Sequence, residues 1–96
     1  MAGQIRITPE EMRSRSREVY QQKETFVGVI GAMTGIINQL QTEWEGEASR
    51  GFYDQFGRLQ PSFNQMTELL ETLSKQLQQT GEALERLDQD IAKQFG

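Results

Sequence analysis

From Met12 onward the chain alternates steps of three and four between Met12, Ser16, Val19, Lys23, Phe26, Ile30, Met33, Ile37, Leu40 and Trp44, and eight of these ten positions are apolar. That spacing is the stripe of an amphipathic helix and not the strict alternation of a strand. Thr8-Pro9-Glu10-Glu11 precedes it. Thr8 suits the N-cap, Pro9 the first helical position, and Glu11 the third residue of a capping box. Ile7 and Met12 stand where a hydrophobic staple would bring them together. The stripe ends at Trp44, and Gly46 is the expected helix stop. A second stripe then runs Ser49, Phe52, Phe56, Leu59, Phe63, Met66, Leu70, Leu73, Leu77, Thr80, Leu84, Leu87, Ile91, Gln94, with eleven of its fourteen positions apolar. Two long helices with so short a connection must lie antiparallel.

Pro61 falls inside the second stripe. An interior proline costs about 3 kcal/mol and usually kinks the helix. The stripe keeps its phase across Pro61, so the expectation is a kinked but continuous helix. The pattern thus predicts an all-α fold, an antiparallel two-helix hairpin in a single domain spanning 1–96. Helix 1 covers about 9–43, the turn about 44–47, and helix 2 about 48–94 with a kink near Pro61.

Composition narrows the chemistry. The 96 residues include no Cys and no His, which excludes disulfides, zinc fingers, thiol nucleophiles and His-based triads. No cofactor or metal is expected. No nucleophile with a base near neutrality can be argued, so no enzyme is expected. The net charge is -4, which speaks against nucleic acid. Glu43, Glu45 and Glu47 cluster at the turn, but their spacing is not that of a calcium loop, and a solvated acidic turn is the plainer reading. Arg13, Arg15 and Arg17 alternate with Glu10, Glu11 and Glu18, as ion pairs along one helix would. No apolar N-terminal segment of the Sec type is seen. Thr25–Thr42 carries no charge, but its Gly, Asn and Gln content fits a buried helix better than a membrane span.

Two surfaces look unfinished. The first helix carries Val27, Val29, Ala32 and Ile36 beside its stripe, which widens its apolar face to roughly 200° at 100° per residue. One neighbouring helix cannot cover that face. Phe26, Val27, Val29, Ile30, Ala32, Met33, Ile36 and Ile37 are therefore the candidate dimer interface. Gly28, Gly31 and Gly35 lie on one side of the same helix, where close helix approach or plasticity could use them. The second helix is also longer than the first. Counted back from the turn, residues 82–96 overhang the hairpin, yet Leu84, Asp88, Ile91 and Phe95 form an apolar ridge holding one acid.

Trp44-Glu45-Gly46 sits between the two stripes, in the middle of a chain of about one hundred residues. The combination resembles the WXG family of small ESAT-like (Esx) proteins, substrates of type VII secretion systems in Gram-positive and mycobacterial bacteria. The resemblance spans essentially the whole chain. It implies helical hairpins that pair into an elongated four-helix bundle, leave the cell without a Sec signal, and have no enzymatic site. The family's export pattern, hydrophobic-xxx-Asp/Glu-xx-hydrophobic-xxx-hydrophobic, is matched by Leu84, Asp88, Ile91 and Phe95. The mycobacterial Tyr-xxx-Asp/Glu form is not matched in the second helix, where Tyr53 is followed four residues on by Gly57. That departure favours a Firmicutes-like member.

What the resemblance implies is a secreted substrate or effector acting through protein–protein contact, with virulence among its roles. Its partners would be a second copy (homodimer) or a paralogue (heterodimer), and the FtsK/SpoIIIE-type ATPase of the secretion system. Trp44 and Gly46 would belong to the turn motif. Two alternatives stay open: a bilayer-perturbing effector acting through the uncharged, Gly-rich first helix, and an intracellular helical adaptor.

Overall fold

The computed structural model describes residues 7–44 and 46–95, the side chain of Phe95 excepted. Helix α1 runs Pro9–Glu43 and helix α2 runs Glu47–Phe95. Thr8 caps α1 in an extended conformation, its hydroxyl accepting from the Glu11 amide at 3.1 Å. Pro9 fills the first helical position, where its missing N–H costs nothing. At the other end Trp44 turns extended, and its N–H still donates to the Leu40 carbonyl at 2.8 Å. Gly46 follows at φ +135°. A side chain is strained at that angle, which explains the glycine. α2 then proceeds unbroken through Pro61.

The two helices pack on each other and make an antiparallel hairpin, the all-α architecture that the two stripes predict. Its extents are 74 × 22 × 19 Å and its radius of gyration is 21.5 Å. A compact chain of this length would have a radius near 12–13 Å. The long dimension is that of α2 itself, since 49 helical residues rise about 74 Å.

The seam between the helices differs from the stripes in one respect. Its most buried members are polar or small: Ser16, Lys23, Ser49, Ser74 and Gly81. Phe56, Phe63, Leu70, Leu77 and Leu84 of the second stripe are half-buried. Phe52, Leu59, Met66 and Leu73 are not inward at all, with exposures of 41–53 %. Thr67 and Ser74, one residue past Met66 and Leu73, stand at the contact line instead, as Gly81 does past Thr80. The reason is steric. Two helix backbones approach closely only over small side chains, so large residues are displaced to the rims of the seam. At Gly81 an added Cβ would lie 3.1 Å from the Pro9 carbonyl oxygen and 3.3 Å from Met12 and Arg13 side-chain atoms. No such crowding surrounds Gly28, Gly31 or Gly35, which face open space in the hairpin.

Hydrogen bonds hold the closest approach. Ser16 donates to the Ser74 carbonyl at 2.6 Å, and Ser74 donates to the Ser16 carbonyl at 2.9 Å. This reciprocal clasp satisfies both buried hydroxyls and fixes the register of one helix on the other. Two turns further along α1 stands Lys23, whose ammonium lies 3.1 Å from Glu24, 3.7 Å from Glu71 and 4.3 Å from the Tyr20 ring centroid. Buried charge is tolerated there because it is paired.

Candidate functional site

Three surfaces carry the residues that the sequence singles out. The first is the turn. Gln41 reaches across it, donating to the Ser49 carbonyl at 2.9 Å and to the Ser49 hydroxyl at 3.1 Å. These bonds close the hairpin from inside, so Trp44 is left free of that duty. Its ring tilts against Phe52 with centroids 5.8 Å apart, and it remains 41 % exposed. Gln41, Trp44, Gly46, Ser49 and Arg50 line a shallow groove there. Glu45 lies outside the described residues.

The second surface is the C-terminal ridge. Gly81 packs against Pro9, where the count from the turn places the start of the overhang. Contact with α1 nevertheless continues past that point. Arg13 donates to Glu85 at 2.7 Å, and Leu84 is half-buried. Leu84 is thus part of the hairpin, a correction to the expectation that the whole ridge lacks a partner within it. Arginine's long side chain spans the extra turn, which counting by backbone rise does not foresee. Beyond Glu85 the ridge is free: Asp88 is exposed, and Leu87 and Ile91 are 53 % and 44 % exposed. The side chain of Phe95 lies outside the described residues.

The third surface is a flank of the hairpin. At 100° per residue, Val29, Met33 and Ile36 share one side of α1 within about 60°, and Phe52, Leu59, Met66 and Leu73 share one side of α2 within a similar arc. A groove bordered by Phe26 and Val29 on α1 and by Met66 and Leu70 on α2 joins the two lines. The flank is one continuous apolar face, with exposures of 41–57 % at those seven residues. The other candidates for the interface are dispersed. Phe26, Ile30 and Ile37 are half-buried in the seam, Ala32 is exposed beside Ile36, and Val27 falls on the opposite flank with Tyr20.

Among the described residues no hydrophobic side chain is fully buried. The accessible surface is 7580 Å², whereas a compact monomer of 11.0 kDa exposes about 5,600 Å². The excess is about 2,000 Å² on one chain, more than the roughly 800 Å² that a standard interface removes from each partner. Sequence reasoning found the stripes but missed Gln41 and Gly81. Its only signal for Gly81 was a glycine at helical spacing from Ser74 and Leu77.

The family model described as proteins of 100 residues with WXG matches residues 4–89, around a turn built by Trp44 and Gly46. The chain belongs to the WXG100 family. It is 40 % identical over 95 residues to protein YukE of Bacillus subtilis, covering 99 % of this chain and 98 % of YukE. It is 30 % identical to the type VII secretion system extracellular protein A of Staphylococcus aureus strain USA300, covering 96 % of this chain and 95 % of that one. Among solved structures, EsxA of Geobacillus thermodenitrificans superposes with a TM-score of 0.84 at 38 % identity, covering 96 % of this chain and 99 % of the other. A secreted protein EsxB from Bacillus anthracis gives 0.79 at 25 % identity, covering 91 % and 97 %. This WXG100 protein is therefore similar in sequence to a protein named as extracellular and in fold to one named as secreted.

Proposed function

We propose that this WXG100 protein is exported as a pair of hairpins, with the free end of α2 and the turn presented to the secretion machinery. It is a secreted type VII secretion substrate, as family membership and the relatives' names support. The observation that carries the pairing is the continuous apolar flank on a hairpin with no fully buried hydrophobic residue among those described. The occupant is a second copy of this chain. The surplus of about 2,000 Å² on each copy, about 4,000 Å² for a pair, suits an extensive self-complementary contact of the obligate-homodimer kind. Met33, Val29 and Ile36 of each copy would meet near the middle of an antiparallel four-helix bundle.

The exported unit would be read at the ridge beyond Glu85. Leu87 and Ile91 supply apolar contact and Asp88 a charge, the composition that a helix-in-groove receptor selects. The FtsK/SpoIIIE-type ATPase of the secretion system is the proposed receptor. Export would proceed without a Sec signal.

The test uses the full chain in a bacterium carrying the secretion system. Truncation after Glu85 is expected to leave pairing and most helicity intact while abolishing appearance in the medium. Asp88→Ala is expected to lower export without lowering stability. Normal export of the truncated protein overturns the tail reading. A sedimenting mass near 11.0 kDa at micromolar concentration overturns the pairing, and a mass fitting a paralogue complex replaces the homodimer with a heterodimer.

A further inference from the structure

Met33 and Met66 are 42 % and 43 % exposed in the hairpin, and both stand on the apolar flank. Met66 lines the groove shared with Phe26, Val29 and Leu70. Met33 lies between Phe26 and Val29 on the helical wheel, on the same side. The remaining described methionine, Met12, is half-buried against Gly81 at the far end of the seam. The two exposed thioethers are thus accessible in the free hairpin and would be covered once a second hairpin lies on the flank. Thioether sulfur is readily oxidised, and the product changes an apolar, flexible side chain into a polar one.

We propose that Met33 and Met66 form an oxidation site that controls pairing: a peroxide converts them to sulfoxides in the free hairpin, and the oxidised hairpin no longer pairs. This rests on the pairing reading above. The step balances without a cofactor. The sulfur lone pair attacks one peroxide oxygen, the O–O bond breaks and an S–O bond forms. Sulfur is oxidised by two electrons, and the peroxide leaves as water or an alcohol. Each sulfoxide oxygen then carries hydrogen bonds to water that Val29, Ile36, Leu59 and Leu73 of a partner's flank cannot replace. Of the residues lining the groove at Met66, Gln22 and Thr25 alone carry side-chain donors. Pairing and oxidation are linked. Whatever covers the flank protects the sulfurs, and whatever oxidises them disfavours covering it.

The experiment treats the full chain with hydrogen peroxide and follows mass by sedimentation, sulfoxide content by peptide mass mapping, and helicity by circular dichroism. The comparator is the double variant Met33→Leu/Met66→Leu, a volume-conserving change that retains Met1 and Met12. The expected result is a wild-type dissociation constant raised at least tenfold by peroxide with helicity largely kept, and a double variant whose pairing peroxide leaves unchanged. Wild-type protein should also oxidise more slowly at Met33 and Met66 as its concentration rises. Oxidised wild type that pairs as before overturns the proposal, as does a double variant that dissociates equally on treatment. An untreated chain that sediments as a single hairpin overturns the pairing reading, and this proposal with it.

Discussion

The hairpin changes character along its length. Towards the open end the helices meet through Ser16 and Ser74, Lys23 and Glu71, Gly81 and Pro9, and Arg13 and Glu85. Towards the turn, beside the Gln41–Ser49 bonds, rings enter the contact: Phe26 lies edge-on to Phe63 across the seam at 6.4 Å and Trp44 tilts on Phe52 at 5.8 Å, while Phe63 and Phe56 pack together along α2 at 5.6 Å. The open-end part of α1 exposes a single large hydrophobic residue, Tyr20, among those described. The turn part exposes Val27, Val29, Met33, Ile36 and Trp44. At the open end the buried polar groups of α1 therefore find partners across the seam, while α2 still exposes Met66, Leu69, Leu73, Leu87 and Ile91 there. The turn half leaves aliphatic surface that only another molecule can cover. The α1 surface near the open end thus serves the hairpin itself, and the α1 surface near the turn serves what lies on it.

The sharpest way to break that contrast is to put charge on the flank. Val29 and Ile36 are 49 % and 57 % exposed, so Val29→Asp/Ile36→Asp removes little from the hairpin itself. In a pair both carboxylates would be buried without partners, at several kcal/mol. The expected outcome is a loss of pairing affinity of at least about 100-fold, seen as a sedimenting mass of 11.0 kDa. Glu18→Ala, a substitution in the open-end half, should leave pairing within about twofold, because an exposed ion pair contributes little. Equal loss in both variants would mean that the halves do not differ.

Glycines in the two halves should respond with opposite signs. Gly81 has the Pro9 carbonyl 3.1 Å from where a Cβ would stand, while nothing lies within 4 Å of the same point at Gly31. Gly81→Val must push backbone against backbone, and is expected to cost about 1–3 kcal/mol in urea unfolding. Gly31→Ala should gain up to about 1 kcal/mol from helix propensity. If Gly31→Ala instead destabilises, a partner helix approaches closely there in the assembled protein.

These glycines mark what the chain could and could not disclose. The helices and the cap at Thr8 were legible because each is a local preference written in adjacent residues. The glycine of the turn was legible too, but α1 stops earlier, at Glu43 with Trp44 as its cap, and Gly46 opens α2, its carbonyl accepting from the Arg50 amide at 3.3 Å. Which side of each stripe faces the other helix was not. Phe52, Leu59, Met66 and Leu73 share the heptad step of Phe56, Phe63, Leu70 and Leu77, and periodicity alone cannot divide the two lines. Close approach divides them, and it depends on Thr67, Ser74 and Gly81, which hydrophobicity ranks as unremarkable positions. The tail shows the same limit. Counting placed position 81 opposite Pro9, but the Arg13 side chain extended the contact to Glu85.

A smaller effect tests whether the open end is held by its clasp. Ser16→Ala removes the 2.6 Å bond to the Ser74 carbonyl and leaves the reciprocal bond from Ser74 in place. The loss of about 1 kcal/mol for a buried hydrogen bond is partly offset by the better helix propensity of alanine. The net cost should be about 0.5–1 kcal/mol for Ser16→Ala and similarly for Ser74→Ala. Thermal unfolding of the single and double variants measures it. A single substitution that raises the melting temperature would show that close packing alone, without the hydroxyls, sets the register.

The smallest effect is a pH dependence centred on Lys23. Its hydrogen bond to Glu24 raises the lysine pKa above the ordinary value, against an opposing push from burial, and the same contact lowers the Glu24 pKa. For Glu24, whose folded value is depressed, the stabilisation is present above the ordinary carboxylate value of 4.5 and is lost as pH falls through the folded value. For Lys23, whose folded value is raised, it is present below 10.5 and is lost as pH rises through the folded value. Between those limits the pair contributes a constant amount. Glu24 is more than half exposed, so solvent screening keeps that amount small. Urea midpoints at pH 7 and pH 3 should therefore differ more in the wild type than in Lys23→Met, which retains the aliphatic stem but not the charge. Equal acid sensitivity in the two chains would trace the loss to other carboxylates and remove Lys23 from the set of contacts that hold the open end.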